Sequence, residues 1–130
     1  MNDPAIYLSE LELALLASPI VAEYRVVLAW ANTDDGYFRV RARLTNGDFL
    51  EMTEYFALQD DQIATVDYRH QWMDGSRQSL RQRWDSTPDH PALSNFPYHV
   101  HDGDENVIRP SHPMNLPAAL KLIEDTFLSA

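Results

Sequence analysis

The sequence predicts an α+β fold: a curved antiparallel β-meander of about five to six strands, with an N-terminal and a C-terminal helix packed on one face. Apolar residues repeat with helical spacing at both ends and with a period of two in between. Two turn dipeptides divide the middle into consecutive antiparallel strands, none of which needs a crossover connection. At 130 residues, the chain fits a single domain over 1–130.

The two ends of the chain carry the helix signals. Asp3 is a good N-cap and is followed by proline, which the first helical turn tolerates. The apolar pattern after it predicts a helix over 4–17. Asn115 is a second N-cap, and the apolar stripe that follows predicts a helix over 116–128 that packs on the sheet.

The pattern in the middle of the chain predicts consecutive strands joined by hairpins. Asn46-Gly47 and Asp74-Gly75 each predict a two-residue turn, because Asn-Gly and Asp-Gly favour the positive φ angles of such turns. From Asp85 to Ser111, prolines interrupt the pattern and predict an ordered loop with one short strand near 98–101. The predicted strands cover 20–30, 37–44, 48–57, 62–73 and 76–84.

Composition excludes several classes of protein. Cysteine is absent, which rules out a disulfide scaffold, a cysteine-ligated zinc ribbon and a thiol enzyme. No apolar run reaches the ~20 residues of a membrane span, so we expect no membrane contact and a cytoplasmic location. The sequence also lacks a glycine-rich phosphate loop and the motifs of serine hydrolases and zinc proteases.

The charge balance is acidic, but the bases are nearly all arginine. The net charge is −10, which disfavours unselective binding of nucleic acid. Lys121 is the single lysine among ten basic residues. Arginine suits phosphate and carboxylate binding, so a local arginine site is one interpretation. A general bias toward arginine is the alternative.

The first predicted hairpin places arginines on one face. With a two-residue turn at 46–47, Arg39 faces Glu54, and Arg41 and Arg43 continue the same face. Three like charges repel one another unless carboxylates or bound anions neutralise them. Arg41 and Arg43 are therefore candidates for binding an anionic substrate. A solvated outer face is the alternative.

The second predicted hairpin brings together residues that can do acid–base chemistry. With a two-residue turn at Asp74-Gly75, Tyr68 pairs with Arg81 and His70 with Ser79. His70 is then a candidate general acid or base, Tyr68 a hydroxyl donor and Arg81 a clamp for developing negative charge. The prediction depends on the register, since a slip of one residue exchanges the faces. Trp72, Arg77, Arg83 and Asp85 are predicted to share this face.

A third group of candidates is local in sequence. His99 and His101 form an H-x-H pair, which on a strand puts both imidazoles on one side. With His90 or Asp85 as a third ligand, they would hold a divalent transition metal. Without any cofactor, the histidines would transfer protons while an arginine binds phosphate. A structural role in the loop is the third interpretation.

The same segment carries a resemblance to a known family. The motifs are Arg83-Trp84-Asp85, Pro88, His90-Pro91, Phe96-Pro97, His99 and His101-Asp102-Gly103, with Arg41-x-Arg43-Leu44-Thr45-Asn46-Gly47, Glu51, Glu54-Tyr55 and the stretch from Tyr68 to Trp72 upstream. In this order they resemble the TumE-type toxins of bacterial toxin–antitoxin systems. The chain departs from the family pattern at Ser86, Thr87, Asp89 and Tyr98.

The resemblance implies a small toxin whose partner is a helix-turn-helix antitoxin. We expect it to act on RNA or a nucleotide, as a ribonuclease-like hydrolase or transferase if it is an enzyme. The alternatives are a non-catalytic interaction module that binds its partner through the exposed sheet face, and a metal-binding regulator that uses His90, His99 and His101. Separately, an exposed edge strand at 20–30 would permit a homodimer. The candidate catalytic residues are Tyr68, His70, Asp85, His99 and His101, and the candidate substrate-binding residues are Arg41, Arg43, Arg81, Arg83 and Trp84.

Overall fold

A computed structural model of the chain describes residues 3–129. Its strands form one seven-stranded antiparallel sheet in chain order, flanked in sequence by two helices. The helices are α1 (Pro4–Ala17) and α2 (Leu116–Leu128). The strands are β1 (Val21–Ala31), β2 (Asp35–Leu44), β3 (Phe49–Gln59), β4 (Gln62–Met73), β5 (Leu80–Asp85), β6 (His99–Asp102) and β7 (Ile108–Pro110).

The predicted α+β meander is confirmed, with more strands than expected. Both helices begin and end where the sequence predicts. The side chain of Asp3 accepts the N–H of Ala5 at 2.7 Å, and that of Asn115 accepts the N–H of Ala118 at 2.9 Å. The added strand is β7, whose three residues are too few to show a period of two.

The helices cover one side of the sheet, which we call the inner face. Leu11 and Leu15 of α1 and Leu120 and Ile123 of α2 are almost completely buried in one core. The sheet supplies a row of cross-strand neighbours that is buried throughout. That row consists of Val40, Met52, His70, Trp84 and Val100. The opposite side of the sheet is the outer face.

The first hairpin has a longer turn than predicted. Residues 45–47 form a three-residue loop, in which Gly47 takes φ 90° and donates its N–H to the last carbonyl of β2 at 2.9 Å. The extra residue shifts the register by one, so the predicted pairing of Arg39 with Glu54 is wrong. Glu54 lies on the inner face instead, fully buried.

The second hairpin also has a longer loop than predicted, covering 74–79. The carboxylate of Asp74 is the reason, because it accepts the N–H groups of Gln78 and Ser79, both at 3.0 Å. Together with a one-residue register shift between Trp72 and Met73, the longer loop places His70 opposite Trp84 rather than Ser79.

This register separates residues that the sequence placed on one face. Tyr68 and His70 lie on the inner face, while Arg83 and Asp85 lie on the outer face. Arg81 lies at a β-bulge, where its guanidinium holds the carboxylate of buried Asp48 at 2.6 Å. The predicted gathering of these side chains is wrong, because the extra residue at this bulge shifts the register by one and so exchanges the faces of β5.

Candidate functional site

The outer face concentrates the basic residues of an acidic protein. Residues that pair across neighbouring strands lie on the same face of the sheet, so the register shows on which face each charged side chain lies. The face carries six arginines against five carboxylates, although the whole chain carries a net charge of −10. The arginines are Arg25, Arg39, Arg41, Arg43, Arg69 and Arg83, and the carboxylates are Glu23, Asp35, Glu51, Asp67 and Asp85.

Some of these arginines are held by carboxylates and some are not. Glu51 pairs with Arg41 at 2.7 Å and with Arg39 at 3.1 Å. Burial raises the pKa of Glu51, but the hydrogen bonds from the two arginines outweigh burial and lower it. Within residues 3–129, Arg25 and Arg69 form no ion pair. Their charges are therefore available to a ligand.

A pocket opens at the hairpin end of the outer face. Its volume is about 480 Å³, and four arginines line it together with Glu23 and Phe49. Arg77 stacks over the Phe49 ring with its guanidinium carbon 3.8 Å from the ring centre. The four arginines are Arg25, Arg41, Arg43 and Arg77. This arrangement suits an anion such as a phosphate group.

An aromatic patch lies on the outer face beside the arginines. Trp30, Tyr37 and Tyr55 are cross-strand neighbours on β1, β2 and β3. The rings of Trp30 and Tyr37 are nearly parallel, with an angle of 15° and 6.1 Å between their centres. Trp30 keeps 37% of its surface exposed. The patch offers partly exposed aromatic rings, with which another ring can make an aromatic contact.

The third group of residues on the outer face is the histidine cluster, which consists of Asp85, His90, His99 and His101. Asp85 on β5 faces His99 on β6, so the side chains meet across the strands. Nε2 of His99 lies 3.0 Å from Oδ1 of Asp85, and Nε2 of His101 lies 3.7 Å from Oδ2. The side chains of Asp85, His99 and His101 are almost completely buried.

Backbone carbonyls fix the orientation of both strand histidines. Nδ1 of His99 lies 2.9 Å from the carbonyl oxygen of Pro97, and Nδ1 of His101 lies 2.9 Å from that of Glu105. A carbonyl oxygen only accepts, so each Nδ1 carries the proton and donates it. In the neutral ring Nε2 is then an acceptor, and both Nε2 atoms face Asp85.

Asp85 itself is held from two further directions. Its Oδ1 accepts the N–H of Thr87 at 2.9 Å, and its Oδ2 lies 3.4 Å from Nε of Arg83. Arg83 also forms a two-point contact with Glu105, whose pKa is lowered by that hydrogen bond. Arg83 is buried, and its guanidinium is occupied by its contacts with Asp85 and Glu105. Its role is therefore to position Asp85.

His90 completes the cluster from the loop between β5 and β6. Its ring centre lies 5.0 Å from that of His99 and 6.0 Å from that of His101. One ligand atom from each of the three histidines falls within 4.8 Å of the others. His90 is only half-buried, so the cluster reaches the surface at this side chain.

The candidates on the inner face lie in the core. Trp84 is buried there opposite His70. Tyr68 stacks on His70 with 5.3 Å between ring centres, and burial raises the pKa of Tyr68 to about 12. His70 is completely buried, and its Nε2 donates to the carbonyl of Met114 at 3.0 Å. None of these three side chains contacts the histidine cluster through the hydrogen bonds or ion pairs of residues 3–129.

His70 should make the protein sensitive to acid. Burial lowers the pKa of His70 from 6.5 to about 4, against a smaller opposing effect of the Met114 carbonyl. The unfolded chain therefore takes up the proton first, and stability falls as the pH drops from 6.5 toward 4. At pH 5 the expected loss is about 2 kcal/mol relative to neutral pH.

Urea unfolding of the wild type and of His70→Gln, at pH 7 and pH 5, measures this loss. The wild type should lose about 2 kcal/mol more of its free energy of unfolding between pH 7 and pH 5 than His70→Gln does, because the variant lacks the titrating group. An equal pH dependence in the two proteins would contradict a neutral, buried His70.

The comparison with family models decides the family. The model described as Toxin TumE matches residues 11–127. The chain belongs to the TumE toxin family. A toxin of this kind implies an antitoxin as its partner. Neither the curated proteins nor the solved structures compared with the chain include a match. Among residues 3–129, no helix is long and apolar enough to cross a membrane.

Sequence reasoning found part of this site. It singled out Asp85 and the three histidines of the cluster, which the structure brings together. It missed the contribution of Tyr55 and Arg69, because only the true register places them beside Tyr37 and Arg39. The alternation along β2 was the available signal, since it already put aromatic and basic side chains on the same face.

Proposed function

We propose that this TumE toxin binds single-stranded RNA on the outer face of its sheet and cleaves it at the histidine cluster. One observation carries the proposal: the aromatic patch, the arginines and the cluster share a single sheet face. The family supports a toxin, and the geometry of the face supports the choice of RNA.

The pairing of exposed rings with arginines favours a single strand over a duplex. Unstacked bases can stack on aromatic side chains of a sheet, and each such contact is worth about 1–3 kcal/mol. Trp30 and Tyr37 offer the rings, and Arg25 and Arg69 offer charges that no carboxylate of residues 3–129 holds. An acidic protein with one basic face directs a polyanion to that face.

The arginines between the patch and the cluster are suited to the phosphates. Arg39 and Arg69 face Thr53 from either side, in the row that ends at Asp85 and His99. Tyr55 and Asp85 are two strands apart, which is about 10 Å. A short stretch of RNA therefore spans both. Arg81 and Arg83 are held by carboxylates and act instead as structural supports.

The cluster supplies the chemistry. Two ring nitrogens and a carboxylate converge at one point beneath half-exposed His90. A cation held there, a proton or a metal ion, would stabilise the negative charge that develops when a phosphodiester is attacked. The activity is that of a ribonuclease-like hydrolase or transferase acting on a phosphate ester.

Binding of a fluorescent single-stranded RNA oligonucleotide tests the surface. Trp30→Ala should weaken binding by about 5-fold to 100-fold, because one stacking contact is lost. Arg69→Ala should weaken binding and lower the dependence on log salt concentration by about 0.7, one phosphate contact. The control is Arg109→Ala, an exposed arginine whose position pairs with buried Val100 on the inner face. Equal losses in all three variants, or no binding by the wild type, would contradict the proposed surface.

The antitoxin is proposed to be a helix-turn-helix protein, as the family pattern implies.

Strand β1 is a long edge of the sheet and exposes Val27 and Leu28. An edge strand with free backbone groups can pair with another chain, which supports β1 as the contact for a homodimer.

A further inference from the structure

We propose that the histidine cluster is a binding site for one divalent transition metal ion, with Zn²⁺ as the best-fitting ion and Asp85 as the fourth ligand to His90, His99 and His101. The inference rests on the proposed function only for the role of the ion in RNA cleavage. Binding of the ion depends on the cluster alone.

The strand histidines are already oriented as metal ligands. A ligating histidine usually donates its second ring N–H to a carboxylate or a backbone carbonyl, which fixes the ring and its tautomer. Both His99 and His101 donate from Nδ1 to carbonyls at 2.9 Å, one at Pro97 and one at Glu105. Two such contacts on neighbouring histidines leave two Nε2 lone pairs directed at the same place.

The second observation is a buried acceptor without a hydrogen bond. The side chain of His99 is 1% exposed, and its Nε2 lies 3.0 Å from Asp85 Oδ1 without meeting hydrogen-bond geometry. Nε2 of His101 approaches the other oxygen of the same carboxylate. With neutral rings, three buried acceptors face one another and repel, and a bound cation removes that repulsion.

The arrangement also fits the size of the ion. Zinc–ligand bonds of about 2.0–2.2 Å place neighbouring ligand atoms of a tetrahedron roughly 3.4 Å apart. The carboxylate oxygens of Asp85 lie 3.0 and 3.7 Å from the two Nε2 atoms, which brackets that spacing. The ligand atoms of the three histidines lie within 4.8 Å of one another, so the widest separation must close by up to about 1.4 Å. His90 is half-buried and lies outside the strands, where such a movement is easiest.

The choice of Zn²⁺ follows from the donor atoms. Three imidazoles and one carboxylate, without any thiolate, are typical of zinc, nickel or copper rather than magnesium or calcium. With the ion bound, His99 and His101 serve as ligands rather than as proton carriers. Such an ion acts as a Lewis acid toward a phosphoryl oxygen and lowers the pKa of bound water.

Metal titration of the purified full chain tests the site without any RNA. After EDTA treatment and dialysis, isothermal titration with Zn²⁺ should give one equivalent per chain for the wild type. His99→Ala and Asp85→Asn should each weaken binding by at least 10-fold. His112→Ala is the matched control, since His112 is an exposed histidine outside the cluster, and it should bind as the wild type does.

His90→Ala guards against loss of folding, because His90 lies in a loop and contributes nothing to the buried core. It should keep the thermal unfolding midpoint of the metal-free wild type while losing the rise in midpoint that Zn²⁺ produces. No stoichiometric Zn²⁺ binding by the wild type, or undiminished binding by both His90→Ala and His99→Ala, would overturn the site. RNA binding on the aromatic patch would be unaffected by that outcome, so the two proposals fail separately.

Discussion

Wild-type expression is expected to arrest bacterial growth, whereas bacteria that express the Asp85→Asn variant are expected to grow like cells without the toxin. The substitution keeps the size and shape of the side chain but removes the negative charge that His99, His101 and Arg83 face. Loss of a residue on which the reactive centre depends commonly lowers activity by 10²-fold or more. Growth curves at matched expression level measure the effect.

Asp102→Asn is the control for this experiment. Asp102 lies on β6 beside the cluster, but its carboxylate contacts exposed Arg109 and takes no part in the cluster. The control should arrest growth as strongly as the wild type does. Arrest by Asp85→Asn at wild-type strength would contradict the assignment of the cluster, provided that both variants accumulate to the same level.

The largest expected effect on stability belongs to Glu54. Glu54→Ala should lower the free energy of unfolding by about 3–5 kcal/mol, because it leaves three donors without their acceptor and each such loss costs about 1–3 kcal/mol. Its Oε2 accepts the hydroxyls of Tyr7 and Thr65 at 2.5 and 3.1 Å, and its Oε1 accepts the N–H of Leu116 at 2.7 Å. The carboxylate thereby ties α1, β3, β4 and the N-terminus of α2 together. Burial raises the pKa of Glu54, and these three donors partly offset that rise.

Two further variants separate this network from a general effect of removing a glutamate. Glu51→Ala removes a partly exposed carboxylate of the same strand and should lower stability by about 1 kcal/mol or less. Tyr7→Phe removes a single donor and should fall between the two. Urea unfolding of all three variants measures the differences. A loss in Glu54→Ala no larger than in Glu51→Ala would contradict the network.

The parts of the fold that depend on local patterns could be predicted from the sequence. The helix caps at Asp3 and Asn115 and the alternation along β2 each act over a few residues. The lengths of the hairpin loops could not be predicted in the same way. They depend on where Gly47 takes its positive φ and on which N–H groups Asp74 accepts.

One error in loop length and one unpredicted β-bulge explain most of what the site prediction missed. The added residue at 45–47 moved Glu54 into the core. The four added residues at 74–79 leave the faces unchanged, and the bulge at Arg81 is what puts His70 on the face opposite to Arg83 and Asp85. The prediction that His99 and His101 lie on one side of a strand did not depend on the register, because residues two positions apart in a strand always share a face.

In the proposed function, the histidine cluster acts on RNA. The most direct measurement is the integrity of total RNA in cells that express either the wild type or His99→Ala, with growth recorded in parallel. Both proteins are purified to confirm that the variant folds. Growth arrest with RNA decay is expected for the wild type, and intact RNA for the variant. Growth arrest by the wild type with RNA fully intact would contradict an action of the cluster on RNA.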